Sequence, residues 1–330
     1  MRSALLALLS ALAVAWYLPA LLTRLTAHGA SARLGLTAWL TGMASVPALL
    51  LVALQFLIRA AVDGWPRLAE AVCRSVAGGS CGPAVYQSAI FELALGLATL
   101  AAALALAVLG WRYGRSVQQG QRRTRAHAEI ARLTARKLPD AGAGPGPGAG
   151  PAPGAAVVLD AAPRVAYCVP GRPATIVLSS GALAVLDSAQ LTAVLAHERA
   201  HLAGRHHLLI SVARGLRASF PAVPLFTQGP GEVARLAEMC ADDAAARHAG
   251  RGTLVAALLA MGTGTAVPAA ALAATGGATL ARVQRLLEPP RRARRARCGV
   301  ALMTVTLWLA LMPVLVAAFA GVLTAPGVAG

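Results

Sequence analysis

The sequence predicts a polytopic α-helical membrane protein of four spans, with a cytoplasmic α+β domain between the third and the fourth. Three observations predict it. Of 330 residues, 57% are hydrophobic and only 13% charged, whereas a water-soluble domain carries about 45–50% apolar and about 25% charged residues. Four stretches hold the roughly 20 mostly apolar residues that a span requires. The basic residues gather beside those stretches. This composition excludes intrinsic disorder over most of the length, because disorder needs low hydrophobicity. Five cysteines in 330 residues are also too few for a disulfide-stapled scaffold.

The four stretches are residues 4–23, 36–57, 90–109 and 298–323. The first follows Arg2 and could be taken for a signal peptide. Its apolar run is longer than the about 7–15 residues of a signal's hydrophobic region, so a retained anchor is expected. Residues 253–280 carry no charge, but Gly262, Gly264, Pro268, Gly276 and Gly277 interrupt them. They read as a buried helix near 254–261 followed by a loop, not as a fifth span.

Arginine placement sets the orientation. After the third span come Arg112, Arg115, Arg122, Arg123, Arg125, Arg132, Arg136 and Lys137, and before the fourth come Arg291, Arg292, Arg294, Arg295 and Arg297. Positive flanks face the cytoplasm, which puts the region between them inside, in the inner or plasma membrane, with both termini outside. The net charge of +17 is thereby spent on topology and on anionic lipid headgroups. No basic patch interleaved with aromatics is present, so direct nucleic-acid binding is not expected. The outer loop, 60–87, holds Cys73 and Cys81, which could bridge in an oxidising compartment or stay as free thiols. Cys168, Cys240 and Cys298 fall on the cytoplasmic side or at its edge, where thiols stay reduced.

Residues 111–138 read as a basic helix leaving the membrane, and 139–156 as a Gly/Pro/Ala linker too poor in apolar side chains to build a core. A domain over 157–290 follows. It opens with strand candidates at 157–159, 165–168 and Thr175–Ser179. Asp187 then offers an N-cap, and Gln190 three residues on completes a capping-box pattern. The helix so started runs into His197-Glu198-Arg199-Ala200-His201.

On a helix, residues i and i+4 share a face, so both imidazoles can reach one metal ion. Glu198 lies beside them, where a carboxylate can act as general base. One Zn²⁺ per chain suits this set: it binds neutral imidazole, acidifies water toward a pKa of about 7 and polarises a carbonyl. A catalytic zinc takes three protein ligands, and two residues compete to be the third. Glu238 lies on a predicted second helix with Asp242 at i+4, where Asp242 can accept a hydrogen bond from the outer nitrogen of a ligand histidine. His207 completes a literal HExxHxxGxxH pattern with Gly204. That pattern requires the helix to break at Gly204, yet Leu208, Leu209, Ile210 and Val212 continue a helical apolar pattern, so Glu238 is favoured. His206, His207, His248 and Arg247 are then candidates to steady an oxyanion, or are plain helix-surface residues.

HExxH, the downstream Glu238-to-Asp242 pair and the arginine-rich stretch Ala281-Arg-Val-Gln-Arg-Leu-Leu-Glu-Pro289 resemble the membrane-embedded gluzincin metallopeptidases. Two branches fit, the BlaR/MecR-type antirepressor peptidases and the Ste24/HtpX-type membrane proteases, and the layout of spans is similar to the first. The resemblance implies that the domain is a gluzincin-type zinc peptidase, that His197, His201 and Glu238 bind zinc, and that Glu198 activates water. It also implies that an edge strand, taken as Thr175–Ser179, holds an extended protein substrate, and that the partner could be a helix-turn-helix repressor. A penicillin-binding sensor domain, which antirepressors carry after the last span, is not expected in the seven residues beyond 323.

Overall fold

The computed structural model describes residues 2–27, 31–76, 83–134, 136–137, 155–171, 174–262 and 279–323. Helices α1 (Arg2–Thr26), α2 (Ala32–Val76) and α3 (Pro83–Thr134) come first. A sheet follows, with β1 (Arg136–Lys137), β2 (Ala155–Leu159), β3 (Ala166–Val169) and β4 (Thr175–Ser179). The rest is helical: α4 (Ser180–Leu183), α5 (Ser188–Ala203), α6 (His206–Ser219), α7 (Pro224–Ala249), α8 (Arg251–Gly262), α9 (residues 279–287) and α10 (Arg292–Leu323).

Among the described residues, four segments are long and apolar enough to cross a membrane: Arg2–Thr26, Ala32–Arg74, Ala89–Gly120 and Arg292–Phe319. They coincide with the four expected spans but overrun them. The expected loop at 60–87 is mostly helix, because α2 runs on to Val76 and α3 starts at Pro83. Its composition allows this: residues 58–76 hold four Ala and three Arg, good helix formers, and the helix continues through Gly64 and Pro66. Arg74 pairs with Glu70 one turn back, and Arg67 reaches across to Glu92 of α3 at 3.1 Å. Cys73 is exposed on α2, while Cys81 lies outside the described residues, so the pairing of the two does too. The basic segment after the third span is a continuation of α3 and not a separate helix. Of the Gly/Pro/Ala linker, only Ala155 and Ala156 are described, and both belong to β2. The uncharged segment at 253–280 supplies α8, and residues 263–278 lie outside the described residues.

The strand order is β1-β2-β4-β3, with β2 parallel to β4 and the other pairs antiparallel. Thr175–Ser179, expected at the edge, is therefore a central strand. Every one of its residues is buried, as befits a continuous apolar run covered on both faces. The outermost strand beside α5 is β3.

The helices after the sheet do not sit apart from the spans. Ala213 of α6 and Leu225, Phe226, Val233, Leu236, Met239 and Cys240 of α7 share one core with Leu22, Trp39, Met43, Leu302 and Leu309 of the apolar helices. α6 and α7 form a hairpin whose turn is apolar, with Phe220 stacked on Phe226 at 4.6 Å. Ser219 Oγ donates to the carbonyl of Leu109 in α3 at 3.0 Å. A Cβ on Gly229 would sit 2.6 Å from Met43 Sδ, so α7 meets α2 there backbone to side chain. Further along, Arg235 donates to the carbonyl and hydroxyl oxygens of Thr26 at 3.2 and 3.1 Å. α7 thus runs from the apolar interior toward the end of α1, and Glu238 follows just beyond that end.

Candidate metal centre

α5 begins as its sequence dictates. Asp187 Oδ1 accepts from the Gln190 amide at 2.8 Å, and Gln190 Oε1 accepts from the Asp187 amide at 3.2 Å, the reciprocal capping box. Val194 and Leu195 pack on the sheet with Ile176 and Leu178. This seats the next turn, His197 to His201, at the end of β3.

α7 brings Glu238 opposite. His197 Nε2 and His201 Nε2 are 3.1 Å apart, Glu238 Oε2 is 3.5 Å from the first and Oε1 is 3.4 Å from the second. A tetrahedral zinc with bonds of about 2.0–2.1 Å separates its ligand atoms by about 3.3 Å. Each histidine nitrogen lies near that distance from one Glu238 oxygen, Oε2 for His197 and Oε1 for His201. Single donor atoms of the three residues lie within 4.8 Å of one another, and two imidazoles with one carboxylate suit zinc chemically. Among the described residues, this is the group of His, Cys, Asp and Glu whose donor atoms converge on one point. His207 is not part of it. α5 does break, against expectation: Gly204 caps it and Arg205 adopts a left-handed conformation with φ 48° and ψ 37°. The break starts α6 and turns His207 away, its Nδ1 buried without a partner.

A lattice of charges holds the ligands. Asp242, one turn after Glu238 and fully buried, lies with Oδ1 3.2 Å from His197 Nδ1. Arg282 of α9 grips Asp242 with two bonds, Nε to Oδ2 at 2.8 Å and Nη2 to Oδ1 at 2.6 Å, and also reaches Glu238 Oε2 at 3.1 Å. Burial works against the charge on Asp242, yet Arg282 and His197 hold it down at about 2. Glu238 is likewise held below its ordinary value by His197 and Arg282 against burial. Burial lowers His197, but Asp242 and Glu238 outweigh it and push the imidazole up to about 9. His201 lacks such a carboxylate grip and falls to about 4, through burial first, against the pull of Glu238. Asp243, one residue off this face, pairs with Arg285 at 2.8 Å, and Cys240 packs in the core.

The site opens into a cleft of about 430 Å³. Its walls are β3 (Ala166, Tyr167, Cys168) and α8 (Leu254, Ala257, Leu258, Met261), with His197, Glu198, His201, Glu238 and Arg282 on its floor. Glu198 is buried and raised by that burial. The Cys168 thiol lines the same cleft and is pushed up to about 12, by burial first and then by the Glu198 charge. None of the four oxyanion candidates lines this cleft. His248 sits exposed on the last turn of α7, as does Arg247. His206 stands behind His201, ring nitrogen to ring nitrogen at 3.0 Å.

Sequence reasoning did not single out Arg282 or Cys168. A signal existed for the first, since a carboxylate one helical turn from a ligand needs a counter-charge once buried, and arginine-rich residues 282–285 follow. Cys168 had none, because alternation along a short strand does not show which helix it faces.

The fold and the site define a candidate metal centre on an HExxH helix, built between a small mixed sheet and a bundle of apolar helices. Residues 148–220 match peptidase family M48, a family of zinc metallopeptidases that includes the Ste24 and HtpX types. The match takes in β2 to α6 with His197, Glu198 and His201, and ends before α7, so Glu238 enters on geometry alone. Neither a curated protein nor a solved structure matches the chain.

Proposed function

We propose that this chain is a membrane-embedded zinc endopeptidase whose cleft faces the cytoplasm and cuts an extended protein segment laid along β3. The observation that carries the reading is the convergence of His197, His201 and Glu238, with the Glu198 carboxylate in the same cleft. When bound, zinc would polarise the scissile carbonyl and acidify the attacking water. Glu198 takes the proton from that water and returns it to the leaving amine. β3 is hydrogen-bonded on one side to β4, and a terminal strand can pair with a substrate backbone on the other. α8 offers an apolar wall for a side chain next to the scissile bond.

The role we assign is regulatory, one partner cut at one site, with a helix-turn-helix repressor as the partner class the BlaR/MecR resemblance implies. The second reading, quality control of membrane proteins, is supported by the match to the family of the HtpX-type proteases. Glu198→Gln tests the enzyme. It should slow peptide cleavage by about 10²–10⁴-fold, the usual worth of positioned proton transfer, with zinc content unchanged, and normal cleavage would sink the assignment. Comparing the proteins that accumulate in cells carrying this variant separates the roles: one stabilised partner fits regulation, many fit quality control.

A further inference from the structure

We propose that His206 is the positioning residue of His201. Its Nδ1 accepts the Nδ1–H of His201 and so fixes the tautomer that leaves His201 Nε2 for the metal. The inference rests on the zinc reading above and concerns only this chain's own side chains.

Three independent features point to it. The first is the pairing itself. His201 Nε2 faces His197 Nε2 at 3.1 Å and Glu238 Oε1 at 3.4 Å, so Nδ1 is its remaining nitrogen, and His206 Nδ1 lies 3.0 Å from it. The rings meet edge to face, with centroids 4.8 Å apart and planes at 88°. A neutral imidazole carries one N–H. With the Nε2 lone pair of His201 turned to a metal, its proton sits on Nδ1, and His206 must accept there while keeping its own proton on Nε2.

The second is the backbone. In an unbroken helix, residue 206 would point about 140° around the axis from residue 201. Instead Arg205 takes a left-handed conformation, and among the described residues no other non-glycine residue has a positive φ. This costly turn makes His206 the first residue of α6 and folds its ring back over the end of α5, where it is 5% exposed.

The third is Gly204. A Cβ there would lie 2.4 Å from His206 Nε2 and 2.7 Å from its Cδ2. Only glycine leaves room for the ring, so Gly204, Arg205 and His206 together shape one contact. Asp242 Oδ1 stands 3.2 Å from Nδ1 of His197 as an ion-pair neighbour, so each ligand histidine has a polar group against its outer nitrogen. Such partners fix ring orientation, and losing one typically weakens metal binding about 10–100-fold.

The test compares full-length wild type with His206→Ala, His206→Asn, His206→Gln and Gly204→Ala in detergent, reading zinc affinity by chelator competition and the absorption spectrum of the cobalt-loaded protein. The Asn carbonyl oxygen can take the place of Nδ1, whereas that of Gln reaches the place of Nε2. His206→Ala should lose about 10–100-fold in zinc affinity and shift the cobalt spectrum, and Asn should recover most of both. Gln and Gly204→Ala should side with Ala. Wild-type affinity in His206→Ala, or a folded His206→Asn no better than Gln, would overturn the proposal. If the alanine variant fails to fold, the contrast of Asn with Gln decides. A wild type that binds neither zinc nor cobalt would instead overturn the zinc-peptidase reading itself.

Discussion

The two helices that build the metal centre are held by different surroundings. α5 rests on the sheet, with Val194 and Leu195 against Ile176 and Leu178, and a capping box fixes its start. α7 rests among the apolar helices, with Phe226, Val233 and Leu236 packed in the core of Trp39, Met43 and Leu22. Two ligands come from the first and one from the second. The site therefore exists only while the sheet and the helix bundle keep their mutual placement. Apolar packing also joins them directly: Ala193 and Ala196 of α5 meet Ala245 and Ala246 of α7 in a cluster with Leu254 and Val255 of α8 and Val283 and Leu286 of α9. The Arg282 clamp on Asp242 and Glu238 adds to this packing, as a metal bound between the two helices would.

The comparison breaks most sharply at the single ligand from α7. Glu238→Ala should reduce zinc from near one per chain to little after identical chelator washing, because two ligands on one helix do not make a closed site. It should also loosen α5 from α7, read as faster hydrogen exchange in α7 than in β4. Retained zinc would move the third ligand to His207, against the spacing seen here.

This division also explains what could be read in advance. Everything on the α5 side is local: Asp187 and Gln190 three residues apart, two histidines four apart, a short apolar run at Thr175–Ser179. The spans were legible for the same reason, since each is one continuous run. What escaped depends on contacts distant in sequence. That β4 is central and β3 terminal follows from β2 pairing in parallel with β4, which no residue in either strand announces. The seating of α7 against α2 turns on Gly229 meeting Met43, and the clamp on Asp242 comes from a residue 40 positions on. The break after α5 was hidden because the apolar pattern resumes at once in α6, and only the ring of His206 makes Gly204 necessary.

A second prediction loosens the clamp by acid. Asp242 has its pKa depressed to about 2 in the folded chain, against about 3.9 when unfolded. A depressed carboxylate contributes stability that is complete above the unfolded value and is lost as pH falls through the folded one. The contribution, about 2 kcal/mol, should thus disappear between about pH 4 and pH 2. Chemical unfolding of the metal-free protein across that window should show the loss, and Asp242→Asn should make the slope shallower, leaving the share that the likewise depressed Glu238 contributes. A slope unchanged in the variant would mean that other carboxylates set the acid limit.

The smallest effect probes the α7 side alone, with two glycines two residues apart. Gly231 is exposed and has nothing within 4 Å of where a Cβ would stand, so Gly231→Ala should stabilise by about 0.5–1 kcal/mol, the helix-interior cost of glycine. Gly229→Ala gains the same from the backbone but pushes its methyl to 2.6 Å from Sδ and 2.9 Å from Cε of Met43. Met43 is fully buried, so its thioether end must shift within the core to make room, and overpacking of this kind costs about 1–3 kcal/mol. The residue before Pro230 is crowded further by the proline ring. Gly229→Ala should therefore destabilise on balance, opposite in sign to its neighbour, when thermal unfolding is followed in detergent micelles. Stabilisation by both would mean that α7 is not seated against α2 at Met43, and that Glu238 reaches the metal centre without support from the apolar helices.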